Sequence, residues 1–459
     1  MPAAVPNGGT ARVGASFRDP SGFLFRRDGV LYRQVNRAYR PHYERLMSSG
    51  LYGRLTDAGL LLRHEEVDVP PADAALADRV LRPAPLSFIS YPYEWCFSQL
   101  RDAALLTLQL EREARARGMT LKDASAYNVQ FAGAQPLFID TLSFEPVRKG
   151  MPWRPYRQFC QHFLAPLALV ASADPGLGRL SQLHIDGIPL PLASRLLPWR
   201  TRLRFGLLVH LHVHAASQRR LAGGARSRPV SDLAVSGLID SLERTVRSLA
   251  WQPAGTTWHE YTGEESYSPA SLAEKKRAVH ELLALAAPAA LVDLGANDGQ
   301  FSAIGAALGA SVIAIDGDPS AVEKNYLAAR ARRDPLMLPL LADLANPPGG
   351  AGWDSSERQS LLERLPRDTV MALALVHHLA IGNNVPLARI AALLARLGRK
   401  AVVEFIPRED PQVQRMLASR EDIFAGYTPE AFEHAMQAHF ALVRRVPIEG
   451  SARTLYLFA

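Results

Sequence analysis

Leu291-Val-Asp-Leu-Gly-Ala-Asn-Asp-Gly-Gln-Phe-Ser302 decides the fold class. An apolar strand runs up to Asp293, a glycine turn follows, and a helix is expected from about Gln300. Glycines at 295 and 299 let the backbone approach a ligand with no Cβ in the way. The next apolar run, Val312-Ile-Ala-Ile-Asp316, also ends in an acid. A carboxylate at that place can accept both ribose hydroxyls of an adenosine ligand. A nicotinamide-dinucleotide fingerprint would want glycine at 297, where this chain has Asn.

Working outward, helix and strand signals alternate from Ser271 onward. The pattern predicts a helix to Leu285, then strands over Ala290–Leu294, Ser311–Ile315, Met337–Leu341, Thr369–Leu375 and Ala401–Phe405, with helices between them and two strands at the end. Such alternation indicates a parallel sheet covered by helices on both faces, an α/β Rossmann-like domain over residues 251–459. Asp343 ends the third strand, where it either flanks the adenine or caps a helix. Asn346-Pro-Pro-Gly reads as a loop.

Ligands of an open parallel sheet lie at the carboxyl ends of its strands. The fourth strand delivers His377 and His378 there, and the fifth delivers Glu404. A histidine with a pKa near neutrality can take a proton from a hydroxyl or amine. Either histidine, or Glu404, could instead serve packing or a structural hydrogen bond. Trp258, Tyr261, Tyr267 and Lys275 precede the first strand and are candidates for a lid over the cofactor.

The 459 residues exceed one ordinary core. Residues 1–16 read as a disordered start. Residues 17–150 read as an α+β domain: a hairpin around Arg26–Gly29, a long helix over Glu94–Arg117, and short strands at Val129–Phe131 and Pro136–Ile139. Residues 151–250 read as a helical connecting region holding a basic linker near 217–229. No run is apolar enough to cross a membrane. Two cysteines, Cys96 and Cys160, exclude a disulfide framework and fit a reducing cytoplasm. Residues 251–459 carry 20 basic against 24 acidic groups, and residues 1–250 carry 32 against 21. An anionic partner would therefore favour the first half. His210-Leu-His-Val-His214 suggests a metal, but its apolar neighbours favour a buried helix, and no metal site is assigned.

An acid two residues before the first glycine resembles the class I methyltransferase pattern. That resemblance implies S-adenosylmethionine as cofactor, its methionine part held by Asp293, Gly295, Asn297 and Gly299, its ribose by Asp316, and its adenine beside Asp343. The chain also resembles the bacterial family of nodulation-protein NoeA-related methyltransferases. The resemblance is carried by Leu375-Val-His-His-Leu-Ala-Ile-Gly-Asn-Asn384, Val403-Glu-Phe-Ile-Pro-Arg-Glu-Asp410, Ile448-Glu-Gly-Ser-Ala-Arg-Thr-Leu-Tyr-Leu457, Ile89-Ser-Tyr-Pro-Tyr-Glu-Trp95 and Leu121-Lys-Asp-Ala-Ser-Ala-Tyr-Asn128. It implies methylation of a small molecule or saccharide on a hydroxyl or amine. An RNA or protein acceptor, and a non-catalytic nucleotide-binding scaffold, stand as alternatives.

The first domain is similar in spacing to protein kinases and aminoglycoside phosphotransferases. Asp123 is followed by Asn128 and then Asp140, as a loop aspartate, its asparagine and a strand-borne metal-binding aspartate are in that fold. The chain departs from it in lacking a glycine-rich loop, in offering Arg33 where lysine stands, and in following Asp140 with Thr-Leu-Ser. The resemblance implies a catalytically silent remnant.

Overall fold

The structure, a computed structural model, describes residues 10–220, 229–253, 268–418 and 421–459. Strands β2 (Gly22–Arg27) and β3 (Val30–Asn36) form the expected hairpin. Asp28 and Gly29 turn it at φ 52° and 78°. A two-residue hairpin turn needs this left-handed pair. Strand β1 (Ala11–Arg12) adds to the free edge of β2, and the Val13 N–H donates to the Leu24 carbonyl at 2.9 Å. Residues 10–16 are therefore not the disordered start expected of them, because an unpaired strand edge offers ready partners. Residues 1–9 lie outside the described residues.

Helices α1 (Arg40–Ser48) and α2 (Leu51–Asp57) precede β4 (His64–Val67) and β5 (Ala77–Pro83), completing an antiparallel sheet in the order β1-β2-β3-β5-β4. Helix α3 (Phe97–Arg115) follows and sends its apolar stripe into the core. It starts three residues later than expected, because Pro92–Glu94 forms its own 3₁₀ turn and Trp95 is extended. Strand β6 (Met119–Leu121) pairs with β9 (Phe144–Pro146), and β7 (Val129–Ala132) with β8 (Gln135–Phe138).

The connecting region runs through short helices from Tyr156–Phe159 to Asp232–Ser248, with wider π turns at Cys160–Leu164 and Leu208–Val213. Residues 221–228 of the basic linker lie outside the described residues. The three histidines of 210–214 do not converge on one point. His210 bonds Tyr156 and Ser241, His212 bonds Ser194 and Thr201, and His214 stacks on Tyr156.

The last unit is a seven-stranded sheet of β10 (Ala290–Leu294), β11 (Ser311–Asp316), β12 (Met337–Leu341), β13 (Thr369–Ala372), β14 (Lys400–Phe405), β15 (Leu442–Pro447) and β16 (Thr454–Phe458). Its order is β12-β11-β10-β13-β14-β16-β15, with β16 antiparallel to both neighbours and the first five strands parallel. This is a Rossmann-like sheet. The order reverses between β10 and β13, and a crevice opens at such a switch point. β13 ends three residues earlier than expected, because Ala374 turns left-handed at φ 49° and takes the chain out of the ladder. The helix after the glycine turn is Ser302–Ala307. Among the described residues no helix is long and apolar enough to cross a membrane.

The first unit is joined to this sheet through buried and half-buried polar contacts. Glu323, on the helix Pro319–Arg332, accepts the Ser98 N–H at 2.9 Å and its hydroxyl. Asp102 accepts from the Tyr326 hydroxyl at 2.8 Å and from Arg330 at 2.5 Å. Glu94, fully buried, pairs with Arg364. The turn between β7 and β8 abuts the chain at Asp334 so closely that a Cβ on Gly133 would lie 2.4 Å from its carbonyl oxygen. The segment Ile89–Trp95 is thus an internal joint.

Candidate functional site

A cavity of about 580 Å³ opens at the carboxyl ends of β10, β11, β12 and β13. Asp293, Gly295, Asn297, Asp316 and Asp343 all line it. Asp293 is buried, and its Oδ2 accepts from the Ser302 hydroxyl at 2.5 Å. Burial, less the help of that hydroxyl, lifts its carboxyl to about 7, with the neighbouring charge of Asp316 acting in the same direction. Asp316 accepts the Asn297 N–H on one oxygen and the Asp318 N–H on the other, each at 2.8 Å. Burial raises its pKa against those bonds. The Gly317 N–H adds to these bonds, and with four lone pairs on its two oxygens the carboxylate keeps acceptor capacity for a ligand.

The glycine turn is shaped for close approach. Gly295 and Gly299 sit at φ 73° and 79°, and Asn297 at 49°. A Cβ on Gly299 would lie 2.4 Å from the Asn325 side chain, so this glycine serves packing against the next helix rather than the cavity wall. Asp343 accepts the Ala345 N–H at 2.9 Å, closing a turn at the cavity rim.

The histidines separate in role. His378 lines the cavity, while His377 is buried behind it, with ring centroids 4.0 Å apart. Burial lowers His378 to about 4. His377 is pushed well below its ordinary value by burial first and by the charges of His378, Arg453 and Lys275 after it. Neither ring nitrogen of His377 has a hydrogen-bond partner among the described residues. Glu404 is fully buried on β14 and accepts from the Lys275 ammonium at 2.7 Å, away from the cavity lining. Lys275 does line the cavity, and its ammonium sits 4.7 Å from the centroid of the Phe301 ring. Trp258, Tyr261 and Tyr267 lie outside the described residues.

Several lining residues escape the sequence reading. Arg453 lines the cavity and is held by Asp410 through two buried bonds of 2.7 and 3.3 Å. Both residues fall inside the segments that carry the family resemblance, which is the signal that could have found them. Asn383 and Gln412 add amide groups to the wall. Arg179 arrives from the connecting region, and nothing in its sequence neighbourhood marks it.

Asp123, Asn128 and Asp140 come together beneath β3. Asp123 is hydrogen-bonded by Asn128 and raised by burial first, with the Asp140 charge adding to it. Asn128 donates to the Ser143 hydroxyl at 3.2 Å, and that hydroxyl donates to Asp140. Arg33 of β3 reaches Asp140 at 2.6 Å.

No protein-family model matches the chain. The nodulation protein NoeA of Rhizobium meliloti (strain 1021) is 36% identical over 475 residues, which cover 99% of this chain and 97% of that protein. Among solved structures, the bifunctional kinase-methyltransferase WbdD overlays with a TM-score of 0.31 at 18% identity, over 43% of this chain and 42% of that one. The N-methyltransferase NodS from Bradyrhizobium japonicum WM9 does so at 0.30 and 13%, over 42% and 97%. The magnesium protoporphyrin IX methyltransferase ChlM from Synechocystis PCC 6803, with bound SAH, does so at 0.30 and 15%, over 45% and 88%. The class of the sheet follows from its strand order rather than from these partial overlays. By identity across nearly its whole length the chain belongs to the NoeA family, and its C-terminal sheet has the Rossmann-like strand order with a cavity at the switch point.

Proposed function

We propose that the chain transfers the methyl group of S-adenosylmethionine to a hydroxyl or amine of a small molecule or saccharide. The observation that carries this reading is one cavity lined both by three carboxyl groups and by a neutral imidazole. Asp293 and the turn at Gly295 and Asn297 would hold the methionine part, Asp316 the ribose, and Asp343 the adenine side. The cofactor supplies a methyl already activated by its sulfonium. What remains for the protein is alignment of the acceptor and exclusion of water. His378 takes the proton that the acceptor loses as the new carbon–oxygen or carbon–nitrogen bond forms. Asn383 and Gln412 suit the hydroxyls or amides of a polar acceptor. Glu404 acts as the positioning partner of Lys275.

The division of the chain is part of this proposal. Residues 251–459 carry the transfer, 151–250 complete the acceptor side through Arg179, and 17–150 form a kinase-like remnant. With Arg33 and Ser143 both on Asp140, that carboxylate is engaged where a kinase-like site would clamp a phosphate-bound metal, which supports reading the unit as a silent remnant.

Asp316→Ala tests the cradle. Hydrogen bonds to a charged group contribute about 1.5–3 kcal/mol, so the variant should bind S-adenosylmethionine about tenfold or more weakly. Unchanged affinity by calorimetry would remove the ribose assignment. Asp293 adds a pH dependence. With its carboxyl at about 7 in the free chain, a cationic ligand beside it favours the ionised form, and binding below that pH must expel a proton. Affinity should therefore fall toward about tenfold per pH unit below pH 7 and level off above it. Asp293→Asn should flatten this slope, and an equal slope in the variant would assign the proton elsewhere.

A further inference from the structure

The 45 residues between Asp186 and Asp232 contain no acid and eight arginines. Within this stretch lies the most apolar exposed surface of the connecting region. Trp199, Leu203 and Phe205 are each 75% exposed, and Leu196 is 39% exposed. Their outward position follows from local structure. Pro198 follows the helix Leu190–Leu196, and Trp199–Leu203 then forms a single 3₁₀ turn. Leu197, Thr201 and Leu207 take the inward positions and are buried. Thr201 donates to the Pro198 carbonyl at 2.7 Å and bonds His212 at 2.9 Å, which pins the turn to the helices beneath.

Arginines interleave with these side chains at 195, 200, 202 and 204, all exposed. Arg200 donates to the Ser172 carbonyl and Arg204 to the Ser248 carbonyl, both neutral acceptors. Among the described residues none of the four makes an ion pair. Large apolar side chains set among uncompensated guanidinium groups are what an anionic bilayer surface accepts. Trp, Leu and Phe enter the headgroup–acyl boundary while the arginines stay at the phosphates. A second copy docked about a two-fold axis would face this arginine cluster with itself. A single-stranded nucleic acid would use the aromatic rings, but Leu196 and Leu203 offer no face on which a base stacks.

We propose that the 195–205 turn is a peripheral membrane anchor that seats on anionic lipid. Attachment through such a turn is reversible and depends on both the apolar and the cationic contributions.

The test is co-sedimentation of the full chain with vesicles of phosphatidylcholine alone and of phosphatidylcholine with phosphatidylglycerol. The chain should pellet with the anionic vesicles and much less with the neutral ones. Leu203→Ser/Phe205→Ser should weaken that binding about tenfold or more. Arg195→Gln/Arg202→Gln should weaken it about tenfold on anionic vesicles and leave the neutral ones unchanged. All four side chains are exposed, so both variants should keep the fold and the wild-type affinity for S-adenosylmethionine. Wild-type chain left in the supernatant with anionic vesicles, or equal binding by the serine variant, overturns the proposal. So does lipid-free self-association that the serine variant abolishes, which makes a second copy the occupant. Tighter binding to single-stranded RNA that the serine variant retains assigns the surface to a polyanion and overturns it as well.

Discussion

Lys275→Met should lower the free energy of unfolding by about 3–5 kcal/mol. Lys275 and Glu404 are 3% and 0% exposed and their charges meet at 2.7 Å. Removing the ammonium takes the opposite charge away from a fully buried carboxylate, and that part of the compensation for its desolvation is lost. The position also matters for ligand binding, since the same ammonium lies over Phe301, which walls the cavity. Replacing both partners, Lys275→Met with Glu404→Leu, should recover most of the loss, because packed apolar groups can stand in for a buried pair. Urea denaturation of the two variants separates the cases. A single variant within about 1 kcal/mol of wild type would show that the pair does not hold the helix Pro269–Ala286 to β14.

His378→Ala should slow methyl transfer about 100-fold, the usual scale for a lost acid–base group, and leave cofactor affinity nearly intact. His378 faces the cavity, whereas His377 packs behind it, so His377→Phe should affect stability more than rate. The pH profile adds a sharper reading. With His378 at about 4, the imidazole is neutral at and above pH 6, and the rate measured with cofactor saturating should stay flat from pH 8 to 6. A rate that halves near pH 6.5 would assign the proton to an unburied histidine instead. Stability has the opposite concern. A histidine depressed by folding is protonated first in the unfolded chain, so its contribution is present above about pH 6.5 and is lost as pH falls toward 4.

The parallel sheet was legible because buried strands are short unbroken apolar runs. β10 and β12 occupy the residues the run lengths indicate, Asp293 falls at the next-to-last position of β10 and Asp316 at the last of β11. β13 was overestimated because an alanine gives no sign that it will turn left-handed, as Ala374 does. Around His210, the wider π turn Leu208–Val213 breaks the 3.6-residue period on which shared-face arguments depend, so the pattern could not say where each imidazole points. The spacing of Asp123, Asn128 and Asp140 was visible, but the Arg33 contact was not, since it depends on how β3 lies over the loop. Arg453 and Asp410 are 43 residues apart, and Arg179 comes from a different part of the chain altogether. Local pattern carries no information about which distant cation will reach a cavity wall.

Titration calorimetry of the intact chain with S-adenosylmethionine, S-adenosylhomocysteine and NAD tests the central claim most directly. The cradle at Asp293, Gly295, Asn297 and Asp316 predicts binding of both S-adenosyl compounds at one site per chain, with Asp316→Ala about tenfold weaker for each. Tighter binding of NAD, or no heat with either S-adenosyl compound, would contradict it.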